Sequence, residues 1–249
     1  MVGMRRDDET ILAYVTNTKG ITRHVTLIDP DKQSPQIAAD RACVAIESGS
    51  SMIFVGGSTD TPDEIVHATC VAIQEGLELR AFAASQSPDG DEDRWKVPVV
   101  LFPGGSHALS PAADAITFMM LMNSTDRRFL VGEQVRGAPY IDKFDIDALP
   151  TGYIVCHPGG KVGEVGSADL IMEDDIDLVK AYSLTAAMYG FKLLYLEAGS
   201  GADKQVSPDL IKSAKTTEGL TMIVGGGIRT PEQLRLLLMP GLTGSLQAH

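Results

Sequence analysis

Cysteine is scarce and unpaired in this sequence: Cys43, Cys70 and Cys156 are the three in 249 residues. An odd number, widely spaced within apolar patterns, speaks against a disulfide framework, and no CxxC pair suggests zinc. Buried free thiols in a reducing compartment, hence a cytoplasmic protein, are expected. Basic residues are also few, with Lys+Arg 21 against Asp+Glu 33 and a formal net charge of -12. That balance removes nucleic acid as a general partner, because phosphate backbones attract basic faces, but leaves room for a local phosphate pocket. Long apolar runs are missing: FMMLM at Phe118 to Met122 is far shorter than the about 20 residues a spanning helix needs. The opening MVGMRRDDET leads into a mixed segment, so neither signal peptide nor anchor is expected. His24, His67, His107 and His157 are scattered without metal-ligand spacing, and none is assigned a catalytic role.

What the chain does contain is alternation. HVTLID, MIFVGG, VPVVLFPGG, ITFMMLMN, YIVCHPGG, LLYLEAG and TMIVGGG read as seven parallel strands, since near-continuous hydrophobicity suits strands buried on both faces. Between them Val66, Cys70, Ile73 and Leu77 fall at helical spacing, as do Val179, Tyr182, Ala186 and Tyr189, with Gly190 placed to end the helix. Thr61-Pro62 and Thr230-Pro231 read as helix starts, Thr as N-cap and Pro at the first helical position. The link SHALSPAADA after FPGG is too short for a full helix, and SQSPDGDED (Ser85 to Asp93) reads as a solvated excursion. With 44% hydrophobic residues the chain can bury one large core, and a single domain over residues 1–249 is expected. An α/β barrel is preferred to a doubly wound sheet because polar or glycine-rich signals follow nearly every strand, and a barrel collects those loops on one face.

Three strand ends carry candidate chemistry. Asp29-Pro30-Asp31-Lys32 closes the first strand. Asp29 reads either as a magnesium anchor, since that ion binds through one or two carboxylates plus substrate phosphates, or as a capping Asp in a charged turn. Gly56-Gly57-Ser58-Thr59 offers close backbone approach and hydroxyl ligands, or simply precedes the next helix. Gly225-Gly226-Gly227 exposes backbone amides at a helix start, where phosphate binds without a basic surface. Coupled to Ala198-Gly199-Ser200-Gly201, it favours a phosphate site over an ordinary tight turn. Tyr195 reads as a barrel-core aromatic or a ligand contact. Lys32 reads as a diphosphate contact or an exposed salt bridge.

Taken in order, RHVTLIDPDK, FVGGST, LFPGG, FMMLMNS, YIVCHPGGKVG, YLEAGSGA and IVGGGIRTPEQ make a chain that resembles the geranylgeranylglyceryl phosphate synthase family, from about Arg23 to Gln233. YIVCHPGGKVG and LFPGG are similar to its archaeal branch; bacterial relatives make heptaprenylglyceryl phosphate. The resemblance implies a modified TIM barrel with the third helix absent or irregular. It also implies a magnesium-dependent prenyltransferase that joins sn-glycerol 1-phosphate to geranylgeranyl diphosphate in an ether bond, early in archaeal membrane phospholipid biosynthesis. By the same resemblance Asp29 and Ser58 hold Mg2+, and Glu197 is the general base. Tyr195, Leu196, Glu197, Ala198, Gly199, Ser200 and Gly201, with Gly226 and Gly227, hold glycerol phosphate. A homo-oligomer and transient membrane contact are implied as well.

The C-terminal LRLLLMPGLTGSLQAH departs from the family, whose eighth strand ends in a Gly-Asn phosphate turn. Family spacing puts that turn at about Ala248 and His249, which do not match, and Gly244-Ser245 is an early substitute. The eighth strand is therefore left in doubt, its residues stay outside the expected site, and glycerol phosphate binding is expected to be weakened. Two other readings use the same barrel: a phosphosugar isomerase or lyase, for which no paired His and Glu or Schiff-base Lys stands at the strand ends, and an inactive scaffold.

Overall fold

The computed structural model describes residues 10–17, 21–57, 61–228, 230 and 245–248. In chain order the elements are α1 (Ile11–Thr16), β1 (Arg23–Ile28), α2 (Pro35–Glu47), β2 (Ser50–Val55), α3 (Asp63–Ser85), β3 (Val99–Leu101) and β4 (Ala115–Leu121). Then come α4 (Glu133–Lys143), β5 (Asp147–Val155), α5 (Gly160–Val165), α6 (Ile176–Met188), β6 (Leu193–Glu197), α7 (Pro208–Lys215), β7 (Thr221–Gly225) and β8 (Ser245–Ala248). The paired strands are parallel, and their order in the sheet is their order in the chain. Parallel strands in chain order separated by helices are the topology of a TIM barrel, not of a doubly wound sheet.

The chain divides into two compact units. The first is built mainly from His24–Thr117 and Gly137–Ala148, the second from Tyr14–Arg23, Phe118–Arg136 and the chain from Leu149 onward. In the first, β1 pairs with β2, with a register shift between His24 and Val25, β2 pairs with β3, and β3 continues onto the start of β4. Val66, Cys70, Ile73 and Leu77 are buried along α3 as their spacing predicts. No helix connects β3 to β4, where residues 102–114 form only turns and bends. Side chains of α3 hold that link instead. Asp63 Oδ1 accepts from Leu109 N–H at 3.0 Å, His67 Nδ1 is hydrogen-bonded to Ser110 Oγ at 3.0 Å, and Gln74 Nε2 donates to Ala112 O at 3.2 Å. Asp114 closes the link, its Oδ2 accepting from Val99 N–H at 2.8 Å and from Gln74 Nε2 at 3.0 Å. His67 is thus a structural residue.

In the second unit the period-two pattern of the strands sorts side chains onto two faces. Ile154, Leu194, Leu196, Ala198, Met222 and Val224 form one apolar cluster with Val179 and Ala186 of α6 and Leu210, Ile211 and Ala214 of α7. Burying each large aliphatic side chain in such a cluster contributes roughly 1.5–3 kcal/mol. Alternate residues Tyr153, Tyr195, Glu197 and Ile223 therefore face the other way. All three cysteines are buried and free.

Four sequence expectations are revised. β5 starts at Asp147, before the Tyr153 start read from the sequence, because Pro150 and Gly152 hide its pattern. Gly152 serves close packing there: a Cβ would lie 2.8 Å from Met122 Sδ and 3.2 Å from Ala186 Cβ. α3 begins at Asp63 with Pro62, not Thr61, at the cap. On α6 the buried positions are Val179, Ser183 and Ala186, while Tyr189 is 66% exposed just past the helix end. Ser183 is accommodated because its hydroxyl donates to Val179 O at 2.8 Å. Gly190, at φ +83°, ends that helix as expected. The doubted eighth strand is present as β8, paired with β7 through Ile223 opposite Ser245 and Val224 opposite Leu246. The expected helix start at Thr230-Pro231, the Gly244 of the substitute turn and His249 lie partly or wholly outside the described residues.

Candidate functional site

The second unit carries an acid at the C-terminal end of β6. Glu197 is the last residue of that strand and is only 3% exposed. Its neighbours explain how a carboxyl group sits there. Parallel register sets Tyr153 opposite Tyr195, Val155 opposite Glu197, and Glu197 opposite Gly225. The rings of Tyr153 and Tyr195 meet edge to face, centroids 5.0 Å apart at 64°, and both hydroxyls hydrogen-bond to Glu197. Glu197 Oε1 also accepts the Gly199 N–H at 2.6 Å. Burial pushes the Glu197 carboxyl up to about 7, while the hydrogen bonds from Gly199, Tyr195 and Tyr153 pull the other way. The two phenols are held well above their usual range by burial first and the Glu197 charge second, so they remain neutral donors.

Glycine makes the space. A Cβ on Gly225 would overlap the Tyr195 hydroxyl and stand 3.2 Å from Glu197 Oε2. On Gly226, at φ +79°, it would overlap Glu197 Oε1 and stand 2.6 Å from Gly199 N. Gly199 itself, at φ +105°, packs against the Gly159 backbone, where a Cβ would lie 2.6 Å from the carbonyl oxygen. Backbone hydrogen bonds tie the strand tips together: Ala198 N–H donates to Gly225 O at 3.0 Å and Gly159 N–H to Ala198 O at 2.9 Å. Gly199 and the Gly225–Gly226 segment thus pack directly against one carboxylate, and Gly159 packs behind Gly199. An acid poised near neutrality can accept a proton from a substrate hydroxyl, and amides of these turns other than those of Gly159, Ala198 and Gly199 can orient an anionic substrate.

The expected ligand-holding residues divide by placement. Tyr195 is fully buried with its hydroxyl on Glu197. Leu196 and Ala198 send their side chains into the apolar cluster and offer a ligand only backbone. Ser200 and Gly201 are exposed in the turn after β6, whereas Gly199, Gly226 and Gly227 are buried. Tyr153 was missed as a site residue. Its only sequence signal is its place in YIVCHPGG; its pairing with Tyr195 needs the register between strands.

Asp29 belongs to the first unit, at the end of β1. Its Oδ1 accepts from Asp31 N–H at 3.1 Å, capping the short turn Pro30–Lys32, and its Oδ2 pairs with Lys32 Nζ at 3.0 Å. Lys32 is 68% exposed, which makes this the exposed salt bridge anticipated as one of its two readings. At the end of β2, Gly57 abuts the carboxylate: a Cβ there would lie 3.0 Å from Asp29 Cγ and Oδ2. Among the described residues no group of three or more His, Cys, Asp and Glu could hold a metal ion. One carboxylate beside a glycine still suits magnesium, which completes its shell from substrate phosphates and water. Ser58, the second expected ligand, lies outside the described residues. No helix among the described residues is long and apolar enough to cross a membrane.

Known proteins are similar to this chain over most of its length. The PcrB family model matches residues 90–239. The geranylgeranylglyceryl phosphate synthase of Thermoplasma volcanium is 41% identical over 227 residues, 90% of this chain and 83% of that protein. That of Methanobrevibacter smithii is 41% identical over 219 residues, covering 86% and 80%. Among solved structures, (S)-3-O-geranylgeranylglyceryl phosphate synthase from Thermoplasma acidophilum, in complex with its substrate sn-glycerol-1-phosphate, superposes with a TM-score of 0.85 at 35% identity, over 96% of this chain and 90% of that one. With sequence and fold agreeing along nearly their whole length, this chain belongs to the PcrB family, the family of the geranylgeranylglyceryl phosphate synthases.

Proposed function

We propose that this protein is a prenyltransferase that joins sn-glycerol 1-phosphate to geranylgeranyl diphosphate through an ether bond. The observation that carries this reading is the buried Glu197, close to neutral pKa and ringed by glycine backbone, in a chain 41% identical to a named synthase. In the reaction the glycerol hydroxyl forms a C–O bond to the allylic carbon while the bond from that carbon to the diphosphate breaks. Glu197 takes the hydroxyl proton. The Ala198 and Gly199 N–H groups are held by Gly225 O and Glu197, so the backbone of Ser200 and Gly201 with Gly226 and Gly227 grips the phosphate of the glycerol substrate and orients its hydroxyl, turning an encounter into a fixed approach. A relative bound to sn-glycerol-1-phosphate supports the choice of that substrate.

Asp29, and Ser58 by resemblance, would hold magnesium. The ion would supply stabilisation of negative charge on the departing diphosphate. Asn caps a turn about as well as Asp, so Asp29→Asn should fold normally. It is expected to raise the magnesium concentration for half-maximal turnover by about tenfold or more, since loss of even an outer-shell partner costs about 10–100-fold. A magnesium titration of turnover reads this directly, and an unmoved midpoint removes Asp29 from the metal site.

Incubating the purified chain with labelled geranylgeranyl diphosphate, sn-glycerol 1-phosphate and magnesium should yield the ether and diphosphate. Binding of both substrates without product would contradict the proposal. The same reading places the enzyme in the cytoplasm, as a homo-oligomer, with transient membrane contact where it meets its lipid substrate.

A further inference from the structure

We propose that Tyr153 is a positioning residue for Glu197: with Tyr195 it clamps the carboxylate so that a single acceptor site remains for the substrate hydroxyl. This rests on the assignment of Glu197 as the base and goes beyond it. An ionised carboxylate offers about four acceptor sites. Three are occupied, by the Gly199 N–H and by the hydroxyls of Tyr195 and Tyr153. Gly225 and Gly226 leave no side chain to take the fourth, and their missing Cβ atoms are what let the carboxylate and the Tyr195 hydroxyl lie where they do.

The clamp comes from two different strands. Tyr195 is two residues before Glu197 on β6, whereas Tyr153 stands on β5 in direct register with Tyr195 and is 6% exposed. Neither ring can turn away freely, because each packs against the other and both are buried. A base held by two fixed donors pays little reorganisation when its proton arrives. The donors also oppose the burial that raises the Glu197 carboxyl, keeping it ionised at lower pH than burial alone allows. Among the described residues the other titratable neighbour is Cys156, just after β5, whose thiol is pushed up to about 12 by burial and then by the Glu197 charge, and so stays neutral. From β7 the residues opposite Tyr195 and Glu197 are Ile223 and Gly225, neither of which titrates.

Tyr153→Phe keeps the ring and removes the hydroxyl. Titrating the carboxyl of Glu197 by 13C NMR of glutamate-labelled protein, with Glu197→Gln identifying the resonance, should show its midpoint rising by about one unit, the scale of one charge-assisted hydrogen bond. The acidic limb of the pH–turnover profile should move up equally, giving about a tenfold loss well below the wild-type midpoint and a much smaller loss above it. In the Glu197→Gln background, Tyr153→Phe should cost nothing further, because it acts through the missing carboxylate. An unmoved Glu197 titration, or an undiminished further loss in that background, overturns the clamp. The NMR midpoint is read without turnover, so a chain that shows the shift but makes no ether supports the clamp and defeats only the proposed reaction.

Discussion

Glu197→Gln is expected to lower turnover by about 10²–10⁴-fold, the range of a general base, while binding of sn-glycerol 1-phosphate is retained. Gln matches Glu in size, and its carbonyl oxygen can still accept the Gly199 N–H, so the glycine backbone that surrounds it keeps its shape. What is lost is the capacity to take a proton. Single-turnover kinetics with calorimetric titration of the glycerol substrate separates the two effects. Turnover within a few fold of the wild type would exclude Glu197 as the base.

The same substitution has a stability signature with a defined sign. The folded-state Glu197 carboxyl lies at about 7, above its ordinary 4.5, because burial disfavours the anion. Between those two values the folded protein holds a proton that the unfolded chain has released. Its contribution is therefore fully present below about 4.5 and is lost as pH rises through about 7, by on the order of 3 kcal/mol. Melting temperatures measured from pH 4.5 to pH 8 should fall more steeply for the wild type than for Glu197→Gln. Parallel curves would show that the acid is not buried as described.

Gly226→Ala should abolish turnover and lower stability by about 2–4 kcal/mol, because overpacking and left-handed backbone strain act at one position. At φ +79° an L side chain is strained, and its Cβ would overlap Glu197 Oε1 while standing 2.6 Å from Gly199 N and 2.7 Å from Gly199 O. Two of those three atoms are backbone, so a shift of the Glu197 side chain alone cannot relieve the clash. Gly219 is the control: it has a similar φ of +81°, but nothing lies within 4 Å of a Cβ there. Gly219→Ala should cost only the conformational strain, about 1–2 kcal/mol, and leave turnover intact. Thermal unfolding and activity of the two variants side by side make the comparison, and equal effects would show that the crowding at Gly226 has no functional weight.

Much of the architecture is legible locally. Runs such as MIFV and LLYL can only be doubly buried strands, Val66, Cys70, Ile73 and Leu77 can only line one helix face, and SHALSPAADA is too short and too broken for a helix. Each of these follows from spacing and backbone preference within a few residues, which a single chain displays openly. The order of the strand-end motifs was enough to indicate the family. Asp29, Glu197 and the glycines of β7 were visible as chemistry-bearing strand ends for the same reason.

The expectations that failed were those in which packing overrides pattern. β5 runs through Pro150 and Gly152, and β8 forms from a tail without the usual turn, because parallel pairing to an existing edge supplies what propensity does not. Tertiary structure alone decided how Glu197 behaves. Its burial, its two tyrosine donors and the close approach of Gly225 and Gly226 depend on the register of β5, β6 and β7, whose pairing joins residues far apart along the chain. Sequence determines which side chains are available at the strand ends. Proton affinity and hydrogen bonding depend on what surrounds a group within a few ångströms, and only the folded chain brings those surroundings together.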